Sequence, residues 1–190
     1  MTTQVRQYFD LFDDMSTGQR WYLDGPGGPN GEWLNQALTS GRKYEGATPL
    51  TCRVHHPGPP LELTLTEDFV PVLNERVAGI FAAHVGQDAQ IVPARATESD
   101  AKLWAVNVLA IPDCVDEARS AEVHRWTAGD GNPDRIGEYR QIGGLRIDPV
   151  RAGGHAILRP RGWWVQVIVN EILADALRKA NVRCELRLVS

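Results

Sequence analysis

The chain has 190 residues, 23% of them charged and 43% apolar, with a formal net charge of −4. That length suits one domain, or one domain with two lobes (1–67 and 68–190), and it buries enough surface to fold without a disulfide or metal staple. The acidic balance argues against nucleic acid, whose phosphates require a basic surface, and no apolar run reaches the ~18 residues of a membrane span.

The opening MTTQVRQYFDLFDDM mixes Asp and Arg into its apolar residues, so it does not read as a signal peptide, and a cytoplasmic protein is expected. RWYLD is a short strand candidate, followed by the turn-rich DGPGGPNG at 24–31. EWLNQAL has room for one or two helical turns, closed by Gly41. TCRVHH (51–56) and LELTLT (61–66) flank PGPP, which suggests two strands joined by a hairpin or a wide loop.

VPVLNERVAGIFAAHVGQ passes from a short apolar run to helical spacing at Asn74. Val77, Ile80, Phe81 and His84 then fall on one face. Asn74 is a good N-cap, Glu75 suits the positive helix end, and Gly86 can close the helix in the left-handed region. AQIVPAR (89–95) and KLWAVNVLAI (102–111) are strands, the second apolar enough to be central. DCVDEARS has acidic residues placed to start a short helix. EVHRW (122–126) is a strand, GDGNPDRIGE (129–138) a polar loop, and YRQIGGLRID and HAILRP are weaker strands interrupted by Gly.

The C-terminal part returns to the plan of the middle. VQVIVNEILADALRKAN gives an apolar run, then Asn170 and Glu171, then a helix with Ile172, Leu173, Ala176, Leu177 and Ala180 on one face. VRCELRLV alternates, with Val182, Cys184, Leu186 and Leu188 on one side. The fold class is therefore α+β, a mixed, largely antiparallel sheet with two main helices at 75–85 and 171–180. The likeness of the Asn74 and Asn170 segments reads either as an internal strand–helix–strand pseudo-repeat or as coincidence, since strand–cap–helix–strand is common.

No catalytic signature is present. Pro26 and Pro29 remove donors from GPGGPNG and no Gly-Lys-Ser/Thr ending follows, so it is a loop and not a phosphate cradle. Cys52, Cys114 and Cys184 are far apart, and His55, His56, His84, His124 and His155 lack metal-ligand spacing, so no metal and no cofactor is expected. Asp113, Asp116 and Glu117 form an acidic cluster, the pattern of a general acid–base pair and equally of a solvated turn. Trp163 and Trp164 follow Arg161. On a strand one ring would face outward beside Arg, as interface anchors do, or both would line the core.

VPVLNERVAGIF, QIVPAR, LWAVNVLAIPDCVDEARS, GLRIDPVRAGGHAILRPRGW and VQVIVNEILADAL together strongly resemble a bacterial family that carries a domain of unknown function. It is classed as the eleventh immunity-protein family of polymorphic toxin systems. The resemblance runs from about residue 20 to the C-terminus and is most specific at Asn107 to Ser120 and at Arg146 to Pro149. It departs at Leu158, where relatives tend to carry Phe. What the resemblance implies is a non-enzymatic protein that neutralises a cognate toxin encoded beside it by binding it, with no catalytic residue to carry over. The expected toxin-binding residues are Trp163, Trp164, Arg161, Asp113, Asp116 and Glu117. The alternative is a small-ligand protein or enzyme with a site around Asp113, Asp116, Glu117 and His124.

Overall fold

The computed structural model describes residues 7–190 apart from 17, 35 and 98. Its elements in chain order are β1 (Tyr8–Asp13), β2 (Tyr22–Leu23), β3 (Leu50–Cys52), β4 (Val54–His56), β5 (Leu63–Leu65), β6 (Pro71–Asn74), α1 (Glu75–His84), β7 (Ala89–Ala96) and β8 (Lys102–Val108). Then follow β9 (Glu122–Arg125), β10 (Tyr139–Gly143), β11 (Ile157–Leu158), β12 (Ile168–Asn170), α2 (Glu171–Lys179) and β13 (Cys184–Leu188). The fold is α+β, with most pairs antiparallel.

A five-stranded sheet has the order β3-β7-β8-β6-β5 and a four-stranded sheet the order β11-β12-β1-β13. Only the β3–β7 pair of the larger sheet is parallel. Two small ribbons, β2–β4 and β9–β10, complete the strands.

The likeness between the Asn74 and Asn170 segments extends to topology. β6 and β7, joined through α1, flank β8 and run antiparallel to it. β12 and β13, joined through α2, flank β1 in the same way. β5 borders β6 as β11 borders β12. Each unit is a split strand–helix–strand with a slot one strand wide. In the first unit the next strand of the chain fills the slot, and in the second β1 does.

Both helices start where their caps dictate. Asn74 Oδ1 accepts from the Val77 N–H at 2.9 Å, and Asn170 Oδ1 from the Leu173 N–H at 3.0 Å. Each cap contributes about 1 kcal/mol by satisfying a first-turn donor. Glu75 and Glu171 lie in the first turns, and Arg178 and Lys179 in the last turn of α2, each matching the helix dipole. Gly86 and Asn181 carry the chain out of the helices at φ +50° and +52°.

Strand alternation divides the apolar residues among three clusters. Val77, Phe81, Leu173 and Leu177 of the helices pack with Phe9, Leu11, Leu73, Val106 and Val108, so the helices share one core with one face of each sheet. The opposite face of β8, with Leu103 and Ala105, joins Trp21, Leu38, Leu50 and Val72 in a second cluster. The opposite face of the four-stranded sheet supplies Tyr8, Leu158 and Ile168 to a third, beneath Cys114, Val115, Tyr139 and Ile147. The suggested lobe division at 67/68 falls inside the β5–β6 hairpin, where Leu63 pairs with Leu73.

Several local expectations are corrected. The described residues of EWLNQAL form no helix: Gln36 sits at φ +65° and the chain turns at 36–39. TCRVHH divides at Arg53 into β3 and β4, which join different sheets, and neither pairs with β5. DCVDEARS forms a turn, closed by the Ser120 N–H on the Asp116 carbonyl, and not a helix. β1 is a central strand that the sequence reading did not assign.

Candidate binding surface

The two groups singled out in the sequence lie some 50 residues apart, and the backbone lays them side by side. The Arg159 N–H donates to the Ala110 carbonyl at 3.0 Å and the Arg161 N–H to the Pro112 carbonyl at 2.9 Å. Tyr139 joins them: its N–H donates to the Gly162 carbonyl at 3.2 Å, and its hydroxyl to Glu117 Oε1 at 2.9 Å. Asp113, Asp116, Glu117, Arg161, Trp163 and Trp164 thus belong to neighbouring segments over the third core cluster.

The tryptophans occupy a turn and not a strand. Gly162 adopts φ +75°, and the Trp163 N–H closes onto the Pro160 carbonyl at 3.0 Å. Neither ring is fully exposed. Trp163 leans on the third cluster and donates its indole N–H to Gln166 Oε1 at 2.5 Å. Gln166 in turn donates to Asp10 Oδ2. Trp164 meets Phe69 edge to face, centroids 6.2 Å apart. Phe69 has φ +57°, an uncommon conformation for a bulky residue, and the residue is 37% exposed.

Beneath that ring pair lies Arg159, with no exposed surface. Its guanidinium donates to the Trp164 carbonyl and, at 2.6 Å, to the Phe69 carbonyl, while Nε has no partner. Burial pushes its pKa down to about 9. One buried side chain therefore holds both backbones that carry the half-exposed rings. Phe69, Arg159, Tyr139, Gln166 and Asp10 were not identified from sequence. Asp10, a charge inside an apolar run, was the visible signal among them.

The acidic cluster is less bare than its sequence suggests. Glu117 pairs with Arg125, which together with the Tyr139 hydroxyl holds its carboxyl below the usual range. Asp116 lies 3.7 Å from Arg119 and accepts from the Arg119 N–H. Arg151 interacts electrostatically with Asp113 and Asp116. Tyr139 is pushed up to about 12, chiefly by burial and then by its bond to Glu117. Its phenol stays protonated and acts as a donor.

His124, on β9, pairs with Glu122 at 2.7 Å rather than with the Asp113–Glu117 segment. Recesses of about 530 Å³ and 360 Å³ open elsewhere, the first beside Pro93, Arg95, Lys102 and Trp104 and the second beside Asp24, Trp33 and Arg53. In the glycine-rich loop most N–H groups point to protein acceptors: Gly27 to Thr51, Gly28 to Glu32, and Gly31 to Gly28. The Asn30 N–H is taken by the Glu32 carboxylate.

Asp88 accepts from the Ala156 N–H and contacts His155 Nδ1 at 2.6 Å, tying the end of α1 to the approach to β11. Among the described residues, no three His, Cys, Asp or Glu side chains gather as metal ligands. Burial raises the thiols of Cys52 and Cys114 to about 12 and of Cys184 to about 11, which keeps them protonated and weakly nucleophilic. No described helix is long and apolar enough to cross a membrane.

Neither the scan against models of known protein families nor the search of curated proteins returns a match for this chain.

Proposed function

We propose that the protein is an immunity protein that binds a cognate toxin encoded beside it and blocks that toxin by occupying its surface. The observation that carries this reading is the convergence of the aromatic–arginine segment 159–164 with the acidic segment 113–117. Tight protein interfaces draw most of their energy from a few aromatic and Arg anchors inside a polar rim. Trp164 and Phe69 are suited to the centre, with Arg161 beside them and the acidic turn as the rim. The Arg159 clamp fixes the anchor backbones before contact, which lowers the entropy lost on binding. The family resemblance of the sequence agrees with this function.

Arginine neighbours offset much of the acidic charge, so the cluster's contribution is mainly to orientation, with a modest salt-dependent effect on association. The experiment is co-expression with the product of the adjoining gene. Growth should be arrested by that product alone and restored by this protein, and the two should co-purify. A harmless neighbour, or arrest that persists beside well-folded protein, contradicts the reading.

A further inference from the structure

β13 ends the four-stranded sheet, and at five residues it is the longest edge strand of the two main sheets. Hydrogen bonding in an antiparallel pair recurs at every second residue. The Val189 N–H donates to the Tyr8 carbonyl at 2.9 Å. With the register Asp10–Arg187 and Phe12–Glu185, the backbone groups of Arg187 and Glu185 therefore face β1. Those of Cys184, Leu186 and Leu188 face away, and among the described residues none has a partner. Leu188 is also 46% exposed. Natural sheets protect such edges with charged side chains, above all Lys, with Pro or with bulges. β13 has no Lys or Pro and pairs with β1 without a register shift, and its two charges, Glu185 and Arg187, are of opposite sign.

Its charges are arranged to accept one particular neighbour. In the order Cys-Glu-Leu-Arg-Leu, a two-fold axis through Leu186 places Leu186 opposite itself, Cys184 opposite Leu188, and Glu185 opposite Arg187. The residues with outward-facing backbone groups then meet one another, so each of those pairs can exchange both N–H···O bonds. Glu185 and Arg187, already bonded within one chain at 2.7 and 2.9 Å, each gain a second opposite charge across the axis. Opposite charges facing each other across a sheet stabilise the pair, and like charges destabilise it.

We propose that β13 is a self-association edge, on which two copies of this chain join antiparallel about Leu186 into one continuous sheet. The axis stands perpendicular to that sheet, so both helix pairs lie on one side and both candidate binding surfaces on the other. This inference is independent of what those surfaces bind. A single short strand buries little area, which places the dimer at the weak end of protein interfaces, with a dissociation constant on the order of 0.1 mM.

Sedimentation equilibrium on the full chain, from about 10 μM to 1 mM, tests the proposal. The wild type should move from monomer toward dimer mass. Glu185→Arg, which sets Arg against Arg at both ends, should raise the dissociation constant at least about tenfold at unchanged melting temperature. The charge-swapped double variant Glu185→Arg/Arg187→Glu should restore dimerisation. A wild type that stays monomeric throughout, a Glu185→Arg variant that dimerises undiminished, or a double variant that stays monomeric would overturn it.

Discussion

Replacing Arg159 by alanine is expected to cost about 3–5 kcal/mol of folding stability, the largest effect of any single substitution near the binding surface. The side chain is fully buried, so its loss opens a cavity. It also strands the Phe69 and Trp164 carbonyls, which receive its two donors. Relief of the buried charge and of the unpartnered Nε offsets only part of that loss. Arg159→Met separates the contributions. It refills the volume and removes a buried charge that has no carboxylate partner and is costly to hold away from water. Two acceptors remain unsatisfied, however, so a loss of about 2 kcal/mol is expected in denaturant unfolding. An Arg159→Met protein as stable as wild type would show that the guanidinium does not hold the two turns.

The second large effect concerns pH. Asp10 is 3% exposed, and burial raises its carboxyl from 3.8 to about 7 against the opposing influence of Gln166 and Arg187. The folded state thus keeps a proton that the unfolded state releases between those values. The stability this contributes is fully present below pH 3.8 and is lost as pH rises through about 7. Asp10→Asn keeps an acceptor for Gln166 and cannot titrate. It should be more stable than wild type at pH 8 by about 1–3 kcal/mol, with the difference closing toward pH 4. Parallel stability curves across that range would mean that Asp10 ionises alike in both states.

Features set by local chemistry were legible in the sequence. Asn74 and Asn170 announce both helices because a cap acts within three residues. The apolar run of β8 announces a strand buried on both faces. β1 was not legible, because its apolar residues are interrupted by Asp10 and Asp13. Those charges are tolerated through distant or later partners: Gln166 for Asp10, and Arg20 with the Leu65 N–H for Asp13. Its pairing with β12 and β13 spans most of the chain. DCVDEARS looked helical, and the Asp116 carboxylate does accept from the Arg119 N–H as an N-cap would, but only one turn follows before the chain bends at Ser120 into β9.

The candidate surface divides similarly. Trp163, Trp164, Arg161 and the acidic residues carry their chemistry in their types, so they could be named from the sequence. Their proximity could not, since it depends on bonds from Arg159, Arg161 and Tyr139 to Ala110, Pro112, Gly162 and Glu117. Strand alternation would have exposed one tryptophan fully. The turn at Gly162 instead leaves both half-buried and sets Trp164 against Phe69.

Whether this surface holds the partner can be read from the dissociation rate of the complex between Trp164→Ala and the product of the adjoining gene. Dissociation should be at least about thirtyfold faster than wild type, equivalent to roughly 2 kcal/mol, with the association rate nearly unchanged. A folded Trp164→Ala protein that releases its partner no faster than wild type would contradict it.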